Sequence, residues 1–279
     1  MTAAALTGRE LATTIRAAAA VRAAELTVAG RQPRLAVVTA TDDEASAAYV
    51  RSIANAAGKE GIACDLLRTT TAAGVSATLA QLADDPEVHG VMLQTPLPEG
   101  ALLADLARAI PAGKDVDGAS PESLGRLAAG LPAFAPATAE AVLALLDHYR
   151  VELRGKHAVV VGRSVVVGKP TALLLLDRHA TVTICHSRTA DLAAITRQAD
   201  VLVAAAGRAA LIGPGHVSPG TTVIDVGTNA RPDGGLAGDV DPAVAAVDGV
   251  ALTPVPGGVG PVTTALLLRH VVTAAAAAG

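Results

Sequence analysis

Aromatic residues are nearly missing from this sequence: one Phe, two Tyr and no Trp in 279 residues. Base-stacking nucleic-acid platforms and sugar-binding clefts rely on ring faces, so the composition argues against both. Cysteine is as scarce. Cys64 and Cys185 alone cannot build a disulfide framework or a Cys-rich zinc site, and no metal site is expected; two thiols suit a reduced cytoplasmic setting. There is no basic excess: a net charge of −4 offers no footprint to a phosphate backbone. Long apolar runs are lacking too, none reaching the ~18–20 residues of a membrane span. Arg9 and Glu10 break the N-terminus before a signal-peptide core can form. The expectation is a soluble, cytoplasmic protein with neither nucleic acid nor membrane as partner.

What is present is a globular α/β chain. Hydrophobic residues make up 51% and charged residues 17%, which excludes a disordered or collagenous chain. The length suggests about two domains. Short Val/Ile-rich runs alternate with Ala/Leu-rich helical patterns. Strands are expected at 35–39, 88–94, 157–161, 180–185, 201–205 and 222–226. Helices are expected at 45–61, 102–110 and 138–149, with a last helix ending in the Ala-rich tail after Val272. The run His157-Ala158-Val159-Val160-Val161 is what a parallel strand buried on both faces looks like. The fold class is therefore α/β with βαβ organisation and a parallel sheet.

One turn carries a chemical signal. Strand 157–161 runs into Gly162-Arg163-Ser164 and Val167-Gly168-Lys169-Pro170, ahead of an apolar helix. A glycine-containing turn at that place presents bare N–H groups and a helix dipole to a dinucleotide pyrophosphate. The fingerprint is degenerate, with Ser164 at the second glycine position. It is not a phosphate-binding P-loop, because Arg163 and Pro170 stand where that motif needs Gly and Ser or Thr. An ordinary tight strand–helix turn would read the same. The next strand ends in Cys185-His186-Ser187-Arg188-Thr189, without the acid that accepts the ribose hydroxyls of NAD. Ser187 and Arg188 suit a 2′-phosphate, which favours NADP, and Arg163 can add a charge-assisted contact. A solvated loop with Asp191 capping the following helix is the plain alternative.

Seven segments, in order and over nearly the whole chain, are specific to one family. They are Ala45-Ser46 with Tyr49-Val50; Gln94-Thr95-Pro96-Leu97-Pro98; Lys114-Asp115-Val116-Asp117-Gly118; and the turn 161–170. After them come Cys185 to Thr189; Asp225-Val226-Gly227 with Gly238-Asp239-Val240-Asp241; and Thr253-Pro254-Val255-Pro256-Gly257-Gly258-Val259-Gly260-Pro261. The sequence resembles the bifunctional methylenetetrahydrofolate dehydrogenase–cyclohydrolase family. The resemblance implies an N-terminal folate-side domain, 1–138 rejoined by about 262–279, and a Rossmann NADP domain, 139–261, facing a cleft. It also implies a homodimer formed through the Rossmann domain.

By position, the resemblance makes Tyr49, Gln94 and Asp117 the catalytic set. Asp117 would hold the pterin by paired hydrogen bonds, Leu93 and Thr95 would flank it, and Pro256, Gly257, Gly258, Val259 and Gly260 would let backbone approach the substrate. Gly162, Arg163, Ser164, Ser187, Arg188 and Thr228 map to NADP contacts. Singly, each has a plainer role: Gln94 as a strand end, Asp117 in an Asx-turn, Tyr49 in a core. Ala137 and Ala139 replace the family's usual Cys and Pro, and Thr41 and Glu44 a common Gly and Pro.

One departure bears on the chemistry. The family's catalytic lysine lies four residues after the tyrosine, on the same helix face, and here that position is Ile53. Lys59 lies six residues further on, ~600° around the helix, and does not share that face. Removing a hydride from the N–CH2–N bridge needs the folate carbon held against the nicotinamide and no proton abstracted from that carbon. Hydrolysing the methenyl cation needs an activated water and mobile protons, which a Lys–Tyr pair supplies. The expectation is a dehydrogenase whose cyclohydrolase step is lost or weak. The alternatives are a non-catalytic folate- and NADP-binding paralogue, an enzyme acting on a modified pterin, and full bifunctionality through another base.

Overall fold

A computed structural model describes residues 4–41, 43–231 and 233–278. In chain order its elements are β1 (Ala4–Ala5), α1 (Arg9–Val28), β2 (Arg34–Thr39), α2 (Glu44–Lys59), β3 (Ala63–Arg68), α3 (Ala72–Asp84), β4 (Gly90–Leu93), α4 (Leu103–Leu106), α5 (Pro121–Ala128) and α6 (Ala137–His148). There follow β5 (His157–Val161), α7 (Gly168–Asp177), β6 (Thr181–Cys185), α8 (Leu192–Thr196), β7 (Val201–Ala204), β8 (Thr222–Asp225), β9 (Asn229–Ala230), β10 (Leu236–Ala237), β11 (Ala251–Leu252) and α9 (Val259–Ala277). The chain divides into two compact units, 4–12 with 138–263, and 13–137 with 264–278.

The unit of 13–137 and 264–278 is built on a three-stranded parallel sheet in the order β3-β2-β4. Leu35, Ala36, Val37 and Val38 of the central strand are all 0% exposed, as a strand covered on both faces must be. On one face Val75, Leu79 and Leu82 of α3 pack with Val91, Leu93, Leu106 and Ile110. The expected helix 102–110 is α4 followed by a 3-10 turn, Ala107–Ala109. Helix α2 starts where the Asp43 carboxylate accepts from the Ser46 N–H. Helix α5 starts at Ser120, which accepts from the Ser123 N–H, with Pro121 in its first turn.

By length and composition α9 could cross a membrane, with a mean hydropathy of 1.3, which inspection of apolar runs had excluded. Its most apolar window is 67% buried inside the protein, so it serves as a core helix. The Arg31 guanidinium donates to the Ala275 carbonyl and ties the tail of α9 to the segment after α1.

The other unit carries a six-stranded parallel sheet ordered β1-β11-β8-β7-β5-β6. Strand β5 pairs with β6 on one side and β7 on the other, so the chain order reverses there. In open α/β sheets such a switch point is where ligands bind, outside the carboxyl ends of the strands. One boundary differs from expectation. Residues 4–12 are expected with the N-terminal domain, but Ala4 and Ala5 pair with β11 in the six-stranded sheet. The Ala4 N–H donates to Val250 O and the Leu6 N–H to Leu252 O, satisfying carbonyls at an otherwise unpaired edge. A two-residue alanine strand has no periodicity to betray it.

Candidate active site

In the unit of 13–137 and 264–278, the turn after β4 and the loop 114–118 carry most of the expected substrate groups. The Gln94 amide donates to Thr95 O at 2.7 Å, and the Ser46 hydroxyl donates to the same carbonyl at 3.1 Å. Gln94 is half-buried and Thr95 exposed, both open to a ligand, whereas Leu93 is 4% exposed and belongs to the core under the sheet. Leu93 thus presents backbone rather than side chain to the turn.

The loop divides its charges by task. Lys114 Nζ donates to the carbonyls of Leu82, Ala83 and Asp85 at 3.1, 2.9 and 2.6 Å, capping the C-terminus of α3. Asp115 is fully buried and accepts from the Ala119 and Ser120 N–H groups. The Asx-turn role considered for Asp117 therefore falls to Asp115. Asp117 accepts a backbone hydrogen bond from Ala137, and burial followed by repulsion from Asp115 pushes its pKa up to about 7.

Tyr49 and Ile53 stand one turn apart on α2. The tyrosine ring keeps 37% of its surface exposed, but its hydroxyl end is desolvated. Burial, helped by the Asp117 carboxylate and opposed by a hydrogen bond with Thr264, holds its pKa well above the tyrosine range. The phenol therefore stays protonated near neutrality. Ile53 is 0% exposed. The chain has four lysines. Two lie in this unit, and neither replaces the missing one: Lys114 is committed to three carbonyls. Lys59 lines an open groove of about 440 Å³ with Arg16, Arg51, Ser52 and Asn55.

In the unit of 4–12 and 138–263 the turn after β5 lies at the switch point. Gly162 has φ +141°, and a Cβ there would sit 2.1 Å from Ala205 O; a Cβ on Gly168 would sit 2.3 Å from Gly162 O. Both glycines let the strand, the turn and α7 approach without side chains between them. Ser164 Oγ accepts from the Val167 and Gly168 N–H groups at 3.2 and 3.3 Å, which leaves its own proton to donate. The side chains of Arg163, Ser164, Ser187, Arg188 and Thr228 are exposed. The loop holding Ser187 and Arg188 is closed by His186 N–H to Thr189 Oγ1 at 2.8 Å and Arg188 N–H to His186 Nδ1 at 3.1 Å. Asp191 caps α8 by accepting from the Ala194 N–H.

Two further aspartates shape this unit's loops. Asp239, fully buried, accepts from the N–H groups of Ala206, Gly207 and Arg208 and from the Asn229 amide. Asp225 accepts from Gly227, Asp239 and Val240, and desolvation raises its pKa to about 6. Together they fix the loops after β7 and β8. Segment 256–260 follows β11: Pro256 and Gly260 are exposed, Gly258 and Val259 are buried, and a Cβ on Gly258 would come within 2.7 Å of Pro254 O.

Residues 6–117 match the family model described as tetrahydrofolate dehydrogenase/cyclohydrolase, catalytic domain, and residues 136–278 match that family's NAD(P)-binding domain. The chain belongs to the tetrahydrofolate dehydrogenase/cyclohydrolase family. It is 61% identical to the "Bifunctional protein FolD 1" of Saccharopolyspora erythraea over 97% of this chain and 93% of that protein. It is 60% identical to the protein of the same name from Rhodococcus jostii, over 97% and 92%. Among solved structures, the bifunctional FolD methylenetetrahydrofolate dehydrogenase/cyclohydrolase of Campylobacter jejuni superimposes with a TM-score of 0.93. It has 38% identity and covers 98% of each chain. The Trypanosoma brucei FolD, solved with NADP and an inhibitor, gives 0.92 and 33% identity over 99% and 98%.

Thr264, which hydrogen-bonds Tyr49, and His270, whose Nδ1 donates to Val116 O, reach α2 and the loop 114–118 from α9. Nothing in the sequence singles them out beyond their being polar residues inside an otherwise apolar C-terminal helix.

Proposed function

We propose that this protein is an NADP-dependent methylenetetrahydrofolate dehydrogenase of one-carbon folate metabolism, with hydrolysis of the methenyl product lost or weak. The observation that carries the reading is Ile53: fully buried, one turn from Tyr49, in a unit where Lys114 is committed to three carbonyls and Lys59 lines a groove with Arg51 and Ser52. The substrate's bridge carbon gives up a hydride to the nicotinamide and leaves an amidinium cation. NADP supplies the acceptor. The protein's task is to hold the two reactants at near-attack distance. Asp117 accepts the pterin edge, Gln94 and the protonated Tyr49 hydroxyl donate to the folate, and no base is required at its carbon.

At position 53 an ammonium would repel the product cation, and its absence spares that cost. It also removes the general acid–base help that hydrolysis needs, typically ~10²–10⁴-fold in rate. Ser164, Arg163, Ser187, Arg188 and Thr228 take the cofactor. A 2′-phosphate beside Ser187 and Arg188, with no acid at the end of β6, supports NADP over NAD. The protein acts as a homodimer in a reducing cytoplasm. Support comes from the edge strand β6 with Ile184 41% exposed, and from two free thiols.

The test supplies methylenetetrahydrofolate and NADP and follows NADPH, methenyl and formyl species. Methenyl accumulation is the expected result; formyl product forming well above the uncatalysed rate contradicts it. A second reading, full bifunctionality through another group, is favoured by the names of the 60–61% identical relatives. The same assay separates the two. NADP binding without reduction would mark a non-catalytic paralogue.

A further inference from the structure

Asp117 is held from both sides along the chain, and one side chain touches both holds. Before it, the Val116 carbonyl accepts from His270 Nδ1 at 2.8 Å. A carbonyl only accepts, so Nδ1 carries the proton. After it, Gly118 has φ +58°, and a Cβ there would lie 2.6 Å from Phe134 O and from Pro136 N, so segment 134–136 packs directly on the loop. The Phe134 ring lies 4.9 Å from the His270 ring at 33°. His270 thus grips the loop through Val116 and braces the neighbouring segment through Phe134. It is 4% exposed, on α9, 154 residues from the carbonyl it binds.

The consequence follows from peptide planarity. The Val116 carbonyl and the Asp117 N–H belong to one rigid unit. Fixing that oxygen fixes the plane, the direction of the Asp117 N–Cα bond and hence the cone its carboxylate can reach. Val116 itself cannot shift to compensate. It is 0% exposed, and its methyls lie 2.9 and 3.0 Å from the position of a Cβ on Gly90, where Val271 of α9 also packs.

We propose that His270 is a positioning residue for Asp117: it orients the 116–117 peptide so that both carboxylate oxygens face the folate's amino-pterin edge. This rests on the reading of Asp117 given above. Besides gripping the loop, its imidazole favours the charged form of the Asp117 carboxylate directly. Both effects converge on Asp117, so His270 acts on folate recognition and not on the cofactor.

The test compares three variants of the full chain with wild type. His270→Leu removes the donor and keeps apolar volume. His270→Gln places an amide near Nε2, and His270→Asn places one near Nδ1, where it can donate to Val116. The first two are expected to raise KM for methylenetetrahydrofolate about 10–100-fold, with kcat within a few-fold and KM for NADP unchanged. His270→Asn should restore most of the loss. If His270→Leu does not fold, the Asn–Gln contrast decides alone. Equal folate KM in all folded variants overturns the proposal, as does a parallel rise in NADP KM or a failure of Asn to differ from Gln. Asp117→Asn is the control for the underlying reading. If that variant, or a wild type without folate binding, shows that Asp117 does not recognise folate, the reading itself fails and the positioning role fails with it.

Discussion

Ile53→Lys puts the chemical argument to its sharpest test. The variant returns an amine to the helix face one turn from Tyr49. The site is 0% exposed, so the substitution removes a buried Ile worth about 1.5–3 kcal/mol and buries part of a charge. The nearby Asp117 carboxylate offsets some of that cost, since it already acts on the Tyr49 hydroxyl. A net loss of about 2–4 kcal/mol is expected, or roughly 5–15 °C in Tm for a chain of this size. Desolvation lowers the amine's pKa toward neutrality, which suits a group that must both take and give protons. Hydrolysis of methenyltetrahydrofolate should then rise about 10²–10⁴-fold over wild type, the usual worth of general acid–base help. NADP reduction should change little. The assay is methenyl decay with enzyme in excess of background, run beside NADPH formation. A folded variant that oxidises folate normally yet hydrolyses no faster than wild type would refute the argument. So would a wild type already hydrolysing at the variant's rate.

Four more expectations follow from the geometry. With Asp117 near pKa 7 and required as a carboxylate, kcat/KM for the folate should rise about tenfold per pH unit below 7 and level above it, as read from a pH series at fixed NADP. Asp117→Asn should weaken folate binding about 10²–10³-fold by calorimetry. The same variant should stabilise the apo chain at pH 8 by up to ~4 kcal/mol, because the native carboxyl resists ionisation. Since the folded pKa is raised, that advantage should shrink as pH falls from about 7 toward 4, where the unfolded carboxyl is protonated too. Arg188→Ala should raise KM for NADP about 10–30-fold with little change for NAD, and equal effects on both would remove Arg188 from the 2′-phosphate. Gly168→Ala should lower Tm by several degrees, the added methyl lying 2.3 Å from Gly162 O.

The buried parallel strands were legible because their sequences leave no other option. Val159, Val160 and Leu202 are apolar on both faces and 0% exposed. Strand β3 was not, because it is an edge strand whose Asp65 and Arg68 break the apolar run that marks its neighbour β2. Strand β1 was invisible, two alanines whose only instruction is the open edge of β11. At the site, the family resemblance pointed to Tyr49, Gln94 and Asp117, and the glycine turn after a buried strand pointed to Gly162. They did not name Thr264 or His270, because these act from a helix more than 140 residues beyond Asp117 in sequence. No local pattern encodes a contact that tertiary packing creates.

The loop 114–118 shows how a short acidic motif separates folding from recognition. Two of its three charges are engaged by the protein: Lys114 by three helix-end carbonyls, Asp115 by two N–H groups of the turn it closes, one on each oxygen. Asp117 keeps more acceptor capacity in reserve, with one backbone donor among the described residues, from Ala137, for four lone-pair positions. A carboxylate left under-satisfied in a desolvated place must either hold its proton or find donors, and its raised pKa records that tension. On the proposed reading of Asp117, a folate's adjacent N–H groups would answer it by bringing two donors at the spacing of two carboxylate oxygens. The loop's rigidity matters for the same reason: a mobile Asp117 would turn to water and relieve its own strain. Spending Lys114 and Asp115 on anchorage is what keeps Asp117 available to the ligand.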